Sequence, residues 1–473
     1  MHRKLAFFSF ILFLTFMPVA VGADDLEDTY REDAGRIIGA ALTDVEGWER
    51  LTYLATVIGH RLSGSKQLEE AIDWASAGMK EDGLKTWNQE VMVPHWVRGE
   101  ESAAIVSPIQ RDMPMLGLGM SVGTPEGGIT APVVVVESFD ELEALEREAV
   151  EGKIVVYAVP WVGYGGTVRY RTGGASRAAA KGAVAALVRS ATGVSLMTPH
   201  TGTMRYSDDA PKIPTAAITV EDAFWMKRMQ DMGREVTVHL EMGAQTLPDA
   251  LSHNVIAEIP GREKPEEVVV MGGHFDSWDV GEGIHDDGGG CIASWQALKL
   301  IQDLGLQPRR TLRVVLWTNE ENGTRGGNAY RDSLGEDVVN HVAAIEMDGG
   351  VETPVGFGFG LTGTDPTSGD PTYEAAFETL NEIAALLSGI EADEIRRGGG
   401  GVDIGPLMRE GVPGLGLRTV GENYFDWHHT AADTLDKVDL QDFRKATALL
   451  GVMGYVLADM PDRLVPKGHK PQE

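Results

Sequence analysis

Six residues that could bind a metal or move a proton lie close together in one stretch of the sequence. The stretch VVVMGGHFDSWDVGEGIHDDGGG, residues 268–290, contains His274, Asp276, Asp279, His285, Asp286 and Asp287. Histidine nitrogen and carboxylate oxygen without thiolate are typical of catalytic zinc sites, whereas structural zinc sites are usually closed by cysteine. The stretch therefore predicts a catalytic metal site at the end of a buried strand.

Three later apolar segments end in residues of the same kind. Glu320 and Glu321 follow LRVVLWTN, Asp348 follows HVAAIEM, and His428 and His429 follow LGLRTVGENYFDW. Parallel strands bring their carboxyl ends to one edge of a sheet, where the loops converge. A carboxylate shared between two cations can hold a two-metal centre with a spacing of about 3.5–4 Å. Chemistry alone does not choose between the two adjacent histidines.

The segments that must position this centre alternate between strand and helix patterns. Apolar runs typical of strands occur in EEVVVMGGH, TLRVVLWTN, HVAAIEMD and VPGLGLRTV, and helical patterns in CIASWQALKLIQDLGL and PTYEAAFETLNEIAALLSG. Such alternation indicates a largely parallel sheet covered on both faces. We predict an α/β fold with a mixed, largely parallel central sheet flanked by helices.

The pattern changes between about residue 99 and residue 248. Short β patterns such as APVVVVES, GKIVVYAVP and PTAAITV are separated there by Gly, Pro and Asp, and the Ala-rich segment GASRAAAKGAVAALVRS predicts one helix. We predict a mostly β insertion over residues 99–248. Residues 24–98 and 249–473 would form the two parts of the domain that it interrupts.

The first 23 residues predict a cleavable signal peptide. Arg3 and Lys4 precede an apolar run from Leu5 to Ala20, and small residues end at Ala23. An uncleaved anchor is the alternative, but the run falls short of the ~20 residues that a spanning helix needs. We expect a secreted or periplasmic protein without stable membrane insertion.

Charge and cysteine content exclude several classes of protein. The chain has 71 acidic and 41 basic residues and a formal net charge of −30. Such a surface repels nucleic acid and anionic lipid, so neither is expected as a partner. The single cysteine, Cys291, excludes an intramolecular disulfide even in an exported protein.

The order and spacing of five motifs resemble one enzyme family. GGHFDSW, GIHDDGGG, NEENGTRGG, AIEMDGG and WHHTAADT are similar to motifs of the co-catalytic zinc aminopeptidase and glutamate carboxypeptidase family. HRLSGSKQLEEAIDWASAGMKEDGL and PKIPTAAITVEDA extend the resemblance over nearly all of the chain after the signal. The resemblance implies a zinc exopeptidase fold, with a peptidase domain in residues 24–98 and 249–473, a protease-associated insertion in residues 99–248, and a homodimer.

The resemblance also implies a role for each candidate ligand. The terminal ligands would be His274 and Asp348 for one Zn²⁺ and Glu321 and His429 for a second, with Asp286 as the bridge. The family's spacing, a histidine four residues before an Asp-Thr pair, selects His429 over its neighbour.

Two further residues are predicted to take part in the chemistry. Glu320, beside a ligand, would be the general base that takes a proton from the metal-activated water and passes it to the leaving amine, as two cations and a nearby carboxylate allow. Asp276 would accept the second imidazole N–H of His274 and fix its tautomer.

The predicted substrate is a small peptide, and its contacts are less sharply marked. The resemblance suggests that Asp403 and Tyr424 line the pocket, where a tyrosine hydroxyl could stabilise the oxyanion, although packing is an equal alternative. A cation would bind a peptide carboxylate, and the candidates are Arg325, Arg396, Arg397 and Arg418.

The resulting hypothesis is an exported di-zinc exopeptidase that hydrolyses dipeptides with free termini. Aminopeptidase activity on longer peptides is an alternative within the same chemistry. A non-catalytic, protein-binding ectodomain would have lost metal ligands, and a single-zinc glutaminyl cyclase would not need both His274 and Asp348.

Overall fold

The computed structural model describes residues 26–194 and 196–469, so the predicted signal peptide lies outside the described residues. The helices are α1 (Leu26–Thr43), α2 (Glu46–Tyr53), α3 (Lys66–Glu81), α4 (Phe139–Ala144), α5 (Arg147–Val150), α6 (Tyr164–Ala180), α7 (Val220–Asp231), α8 (Gly289–Asp303), α9 (Arg325–Leu334), α10 (Pro371–Ala385), α11 (Gly405–Met408), α12 (Tyr424–Trp427) and α13 (Leu440–Asp459). Short π or 3₁₀ turns occupy Leu54–Ile58, Ile284–Gly288, Gly335–Asn340, Ser388–Ile390 and Leu435–Lys437.

The strands belong to two sheets. They are β1 (Lys85–Val97), β2 (Glu101–Ser107), β3 (Arg111–Met113), β4 (Met115–Gly117), β5 (Ile129–Val136), β6 (Ile154–Tyr157), β7 (Ala185–Arg189), β8 (Thr215–Ile218), β9 (Thr237–Met242), β10 (Gln245–Ile259), β11 (Lys264–His274), β12 (Arg310–Trp317), β13 (His341–Glu346), β14 (Pro354–Gly360), β15 (Glu394–Arg397) and β16 (Gly414–Thr419).

The first sheet has the strand order β1-β10-β12-β11-β13-β16-β14-β15. Strand β11 pairs in parallel with β12 and β13, β13 with β16, and β14 with β15. The pairs β1–β10, β10–β12 and β14–β16 are antiparallel. The prediction of a mixed, largely parallel sheet in an α/β fold is therefore confirmed.

Both faces of this sheet are buried, because successive side chains of a strand point to opposite faces. Val269 and Met271 belong to the core that contains α1, α8 and α13. Val268 and Val270 belong to a second core on the other face, together with Tyr330 of α9. The continuous apolar run before His274 thus reflects a strand covered on both sides.

The second sheet has the order β3-β2-β9-β5-β6-β7-β8-β4 and lies between β1 and β10 in the chain. Its central strands β5, β6, β7 and β8 pair in parallel, and α4, α5 and α6 lie between them in the sequence. That this part is a protease-associated insertion stays a prediction.

The single helix predicted for GASRAAAKGAVAALVRS is wrong in its second half. Helix α6 ends at Ala180, Gly182 has a φ of +88°, and Ala185–Arg189 forms β7, all of whose residues are buried. A short apolar run at the centre of a parallel sheet has no alternation that distinguishes it from a buried helix. The glycine after the helix is the signal that marks the break.

No helix within residues 26–194 and 196–469 is both long enough and apolar enough to span a bilayer.

Candidate active site

The candidate ligands converge on one edge of the first sheet, as predicted from the strand ends. His274 is the last residue of β11, Glu321 lies four residues beyond the end of β12, and Asp348 lies two residues beyond the end of β13. Asp286 lies in the turn before α8, and His429 follows β16 and α12. The parallel pairing of β12, β11, β13 and β16 brings these loops together.

Asp286 lies between two groups of ligand atoms. Its Oδ1 is 3.0 Å from Nε2 of His274, and its Oδ2 is 3.1 Å from Nε2 of His429. Nε2 of His274 is also 3.4 Å from Oδ1 of Asp348, and Nε2 of His429 is 3.0 Å from Oε2 of Glu321. The structure therefore forms two histidine–carboxylate pairs that share one carboxylate.

Two further residues, His428 and Asp287, lie almost as close to the candidate ligands as these do to one another. His428 stacks on His429 with a ring separation of 3.5 Å, and its Nε2 is 3.7 Å from Oδ2 of Asp286. Asp287 lies with His274 and Asp348 in a possible ligand group. The oxygens of Asp287 already accept backbone N–H groups from residues 274 and 290, and His428 makes no ion pair with Glu321 among the described residues.

Opposing charges hold the pKa values of these buried groups far from their usual ranges. Burial acts to lower the pKa of His274, but Asp348 and Asp286 outweigh it and raise the pKa well above normal. The same balance raises the pKa of His429, beside Glu321. Burial acts to raise the pKa of Asp286, but the two histidines hold it well below normal. Since metals and protons compete for such atoms, metal binding should release protons.

The donor set fits divalent cations of the zinc type. Asp286 Oδ2 and Glu321 Oε1 are buried and have no hydrogen-bond donor among the described residues. Burial, opposed by His429 and reinforced by Asp286, raises the pKa of Glu321 to about 7. Buried carboxylate oxygens without donors are costly, and cations satisfy them. Imidazole nitrogen and carboxylate oxygen without thiolate match catalytic zinc.

The structure gives Asp276 different partners from those predicted. Nδ1 of His274 lies 2.9 Å from the backbone carbonyl oxygen of Asp276, whereas the carboxylate is 3.9 Å away. The carboxylate instead accepts the backbone N–H groups of Glu320 and Glu321 at 3.0 and 3.3 Å, and the Ser63 hydroxyl at 3.2 Å. Asp276 therefore fixes the tautomer of His274 through its main chain and positions the following loop through its side chain.

Glu320 lies beside the candidate ligand Glu321 and lines a cavity next to the candidate ligands. Burial is the main cause that raises the pKa of its carboxyl well above normal, and the charges of Asp348 and Glu321 add to it. A carboxylate with a raised pKa is suited to take up and return a proton during a reaction. The position of Glu320 is consistent with the predicted base.

Two residues outside the ligand set hold the Asp286 turn. The carboxylate of Asp433 accepts the backbone N–H groups of Ile284, His285 and Asp286 at 3.1, 2.8 and 3.2 Å. Arg61 is completely buried and donates to the carbonyl oxygens of residues 275, 283, 59 and 282. These contacts tie the end of β11 to the turn that carries the shared carboxylate.

The centre opens into a cavity of about 850 Å³. One wall contains Asp286, Glu320, Glu321 and Asp348, together with the two adjacent histidines. A second wall, the basic wall, comes from the part of the chain that forms the second sheet and includes Tyr164, Arg171, Arg205, Tyr206 and Lys212, together with one acid, Asp208. An acidic wall that contains the candidate ligands and a wall with three cations thus line one cavity.

The predicted substrate contacts divide into two groups. Tyr424 lines the cavity, and burial together with Asp286 raises the pKa of its hydroxyl well above normal. Asp403 is 1% exposed and is not among the lining residues, so the structure does not support its predicted contact with substrate.

The four arginines predicted as contacts for a peptide carboxylate differ in whether they line the cavity. Of the four, only Arg325 lines this cavity, and it pairs with Asp249. Arg396 and Arg418 pair with Glu394, and Arg397 pairs with Glu374. These three arginines are not placed to read a bound peptide.

Comparison with known proteins gives the family. The model for peptidase family M28 matches residues 254–453, which contain the five candidate ligands and Glu320. The chain is 46% identical to carboxypeptidase Q of Mus musculus over 421 residues, covering 89% of this chain and 87% of the relative. The chain belongs to peptidase family M28. It is also 46% identical to carboxypeptidase Q of Homo sapiens, over 88% of this chain and 86% of the relative.

Solved structures agree with the family assignment. A peptidase M28 precursor of Shewanella amazonensis SB2B superposes with a TM-score of 0.86 and 32% identity, covering 94% of this chain and 100% of that one. A zinc aminopeptidase of Bacillus subtilis, 18% identical, has a TM-score of 0.65 over 90% of this chain and shares the fold. This M28 chain is a peptidase similar to carboxypeptidase Q.

The sequence analysis missed several residues that shape the site of this M28 peptidase. Asp433 belongs to the Asp-Thr pair whose spacing selects His429 over His428, and it had no predicted role of its own. Arg61 lies in the HRLSG motif without an assigned role. Arg171, Thr201 and Arg205 lie far from the metal motifs in the sequence and carry no local pattern that marks them. Only the packing of the two sheets brings Arg171 and Arg205 to the cavity and Thr201 into contact with His429.

Proposed function

We propose that this M28 peptidase is an exported di-zinc exopeptidase that hydrolyses small peptides, above all dipeptides with free termini. The observation that carries the proposal is the position of Asp286, whose two oxygens lie 3.0 and 3.1 Å from the Nε2 atoms of His274 and His429. One carboxylate between two histidine–carboxylate pairs is the arrangement expected of a two-metal centre. Zinc is supported by the donor set and by the zinc aminopeptidase that shares the fold.

Each side chain would have a distinct role in hydrolysis. His274 and Asp348 would hold one Zn²⁺, Glu321 and His429 the other, and Asp286 both. The bound ions would supply Lewis acidity that polarises the scissile carbonyl and activates water. Glu320 would accept a proton from the attacking water and donate it to the leaving amine.

Tyr424 supports the same reaction from the wall of the cavity. Its raised pKa keeps the hydroxyl protonated at neutral pH. A protonated hydroxyl that lines the cavity is suited to donate a hydrogen bond to the developing oxyanion.

The basic wall supports a substrate with a free carboxylate. Arg205 and Lys212 are exposed, line the cavity and make no ion pair among the described residues. In a chain with a net charge of −30, two unpaired cations that line the same cavity as a candidate metal centre form a selective place for an anion. A dipeptide would place its carboxylate there.

Longer peptides are the second candidate substrate. A neighbouring cavity of about 750 Å³ shares Thr203, Arg205 and Tyr206 with the main one, which leaves room for further residues beyond Arg205. Aminopeptidase activity on such peptides would use the same metal centre. Substrate length therefore distinguishes the two candidates.

The deciding experiment combines metal analysis with hydrolysis. The purified chain without residues 1–23 should contain about two zinc ions, and chelation should abolish cleavage of free dipeptides. A panel of di-, tri- and tetrapeptides with free or blocked termini would rank the candidates. A chain that neither binds added zinc nor cleaves any peptide would contradict the proposal. Export and a homodimer stay predictions, testable by N-terminal sequencing of the secreted protein and by light scattering.

A further inference from the structure

A segment of the second sheet's part of the chain contacts the backbone of the two adjacent histidines. The N–H of Thr201 donates to the carbonyl oxygen of His429 at 3.0 Å, and Nδ1 of His429 lies 3.2 Å from the carbonyl oxygen of Thr201. Nδ1 of His200 lies 2.8 Å from the carbonyl oxygen of His428. These contacts join segments that are 228 residues apart.

Arg171 of α6 completes this contact. Its Nη1 donates to the carbonyl oxygen of Thr201 at 3.1 Å and also lies 3.3 Å from Nδ1 of His429, and its Nη2 donates to the hydroxyl of Tyr164 at 2.9 Å. The side chain is 6% exposed and makes no ion pair with a carboxylate among the described residues. Burying a guanidinium without a counter-ion costs free energy, so its position requires a compensating role.

His429 needs such support for two reasons. Its φ is +62°, a left-handed conformation that side chains other than glycine rarely adopt unless their surroundings hold them. Its Nε2 faces Glu321 and Asp286 and must be free of a proton to bind a metal. The carbonyl oxygen of Thr201 and Nη1 of Arg171 lie 3.2 and 3.3 Å from Nδ1, and these contacts orient the ring so that Nε2 faces the two carboxylates.

We propose that His200, Thr201 and Arg171 form a clamp that fixes the backbone conformation and the ring orientation of His429. They are positioning residues, and the inference rests on the proposed di-zinc function. The clamp makes the part of the chain with the second sheet a component of the metal centre, beyond its contribution to the cavity wall.

The clamp acts on one metal position only. The corresponding ring nitrogen of His274 is held by the carbonyl oxygen of Asp276, two residues away in the same loop. Loss of the clamp should therefore lower the affinity for the zinc ion at Glu321 and His429, whereas the ion at His274 and Asp348 should stay tightly bound. This asymmetry separates a specific effect from general unfolding.

The test compares zinc affinities by competition with a chelator, together with thermal melting. Arg171→Met should keep one tightly bound zinc and bind the other about 10–100-fold more weakly, the usual effect of losing a ligand's outer hydrogen bonds. Arg189→Met is the control, because Arg189 is 3% exposed, lies in the same part of the chain and makes no side-chain hydrogen bond to residues 428–429. It should bind both ions as the wild type does.

A pair of substitutions at His200 decides the matter even if Arg171→Met fails to fold. Asparagine places an N–H near the position of Nδ1, so His200→Asn should bind both zinc ions with wild-type affinity. His200→Phe has no such donor and should bind the zinc ion at Glu321 and His429 more weakly. Equal, wild-type affinities for both ions in the Arg171 and His200 variants would overturn the clamp alone. A wild-type chain that binds no zinc would overturn the proposed function, and the clamp with it.

Discussion

The backbone N–H of Glu320 donates a hydrogen bond of 3.0 Å to Oδ1 of Asp276. Asp276 is completely buried and lies two residues after the metal-ligand candidate His274, so this bond links the proposed base to the end of β11. The other carboxylate oxygen accepts from Glu321 and Ser63. One side chain thus orients both the proposed base and a candidate ligand of the proposed second metal.

Replacing Asp276 should reduce kcat, because Glu320 would lose the hydrogen bond that orients it. Asp276→Ala leaves three donors without their acceptor, and we expect kcat to fall about 10–100-fold with a smaller change in KM. Asp276→Asn keeps one acceptor oxygen and should lose less activity. Steady-state kinetics on a dipeptide checks this, with the exposed Asp332→Asn as control. Unchanged kcat in Asp276→Ala would contradict the positioning role.

Glu320→Gln should separate catalysis from metal binding. The amide cannot accept and return a proton, so we expect kcat to fall at least ~10²-fold while the zinc content stays unchanged. Metal analysis and turnover measured on the same sample check this. The exposed Glu336→Gln is the matched control and should retain full activity. Residual wild-type turnover would rule out Glu320 as the base.

Substitutions of the ligands should differ in the number of ions lost. Asp286 contacts both histidines, so Asp286→Ala should lose both metals. Asp348→Ala removes a carboxylate near His274 only and should retain the ion at Glu321 and His429. Zinc counting after dialysis distinguishes the two variants. Equal zinc content in both would show that Asp286 is not the shared ligand.

Arg205→Ala should affect substrates by their C-terminal group. Losing a charge-assisted contact at a partly solvated site should raise KM for free dipeptides roughly tenfold, about 1.4 kcal/mol, and leave dipeptide amides nearly unchanged. Arg396→Ala is the control, since Arg396 is exposed and pairs with Glu394 away from the cavity. If KM rises equally for both substrate classes, Arg205 does not read the carboxylate.

His341 should contribute to the loss of stability in acid. Burial, with the charges of Arg313 and Arg463, lowers the pKa of this residue to about 3, against an unfolded value near 6.5. Between these values only the unfolded chain binds the proton, so stability should fall as the pH drops from about 6.5 to about 3.

The corresponding experiment removes that histidine. His341→Gln should show a smaller decrease in the free energy of unfolding between pH 7 and pH 5 than the wild type, measured by urea unfolding with metal removed from both. The control His239→Gln, at a half-buried position in the second sheet, should follow the wild type. Identical pH dependence in wild type and His341→Gln would contradict the lowered pKa.

The prediction from sequence worked best where a functional residue directly follows a strand. His274, Glu321 and Asp348 come just after the apolar runs of β11, β12 and β13, so the parallel pairing of these strands was enough to bring them to one edge. It failed at β7, where a short, fully buried strand has the same apolar character as a helix. Asp403 is buried and does not line the cavity, because proximity in the sequence to a site loop does not decide which way a side chain points.

The sequence by itself determined the fold class, the edge of the sheet that carries the centre and the types of its ligands. Apolar periodicity is a local property of short segments, and the alternation of strands and helices along the chain follows from it. The tertiary structure alone decided which residues of the second sheet's part of the chain reach the centre. Thr201 contacts His429, and Arg171 and Arg205 line the cavity, because the second sheet packs against the carboxyl edge of the first. Contacts between segments more than 200 residues apart depend on the docking of two sheets, and no local pattern in one sequence specifies that geometry.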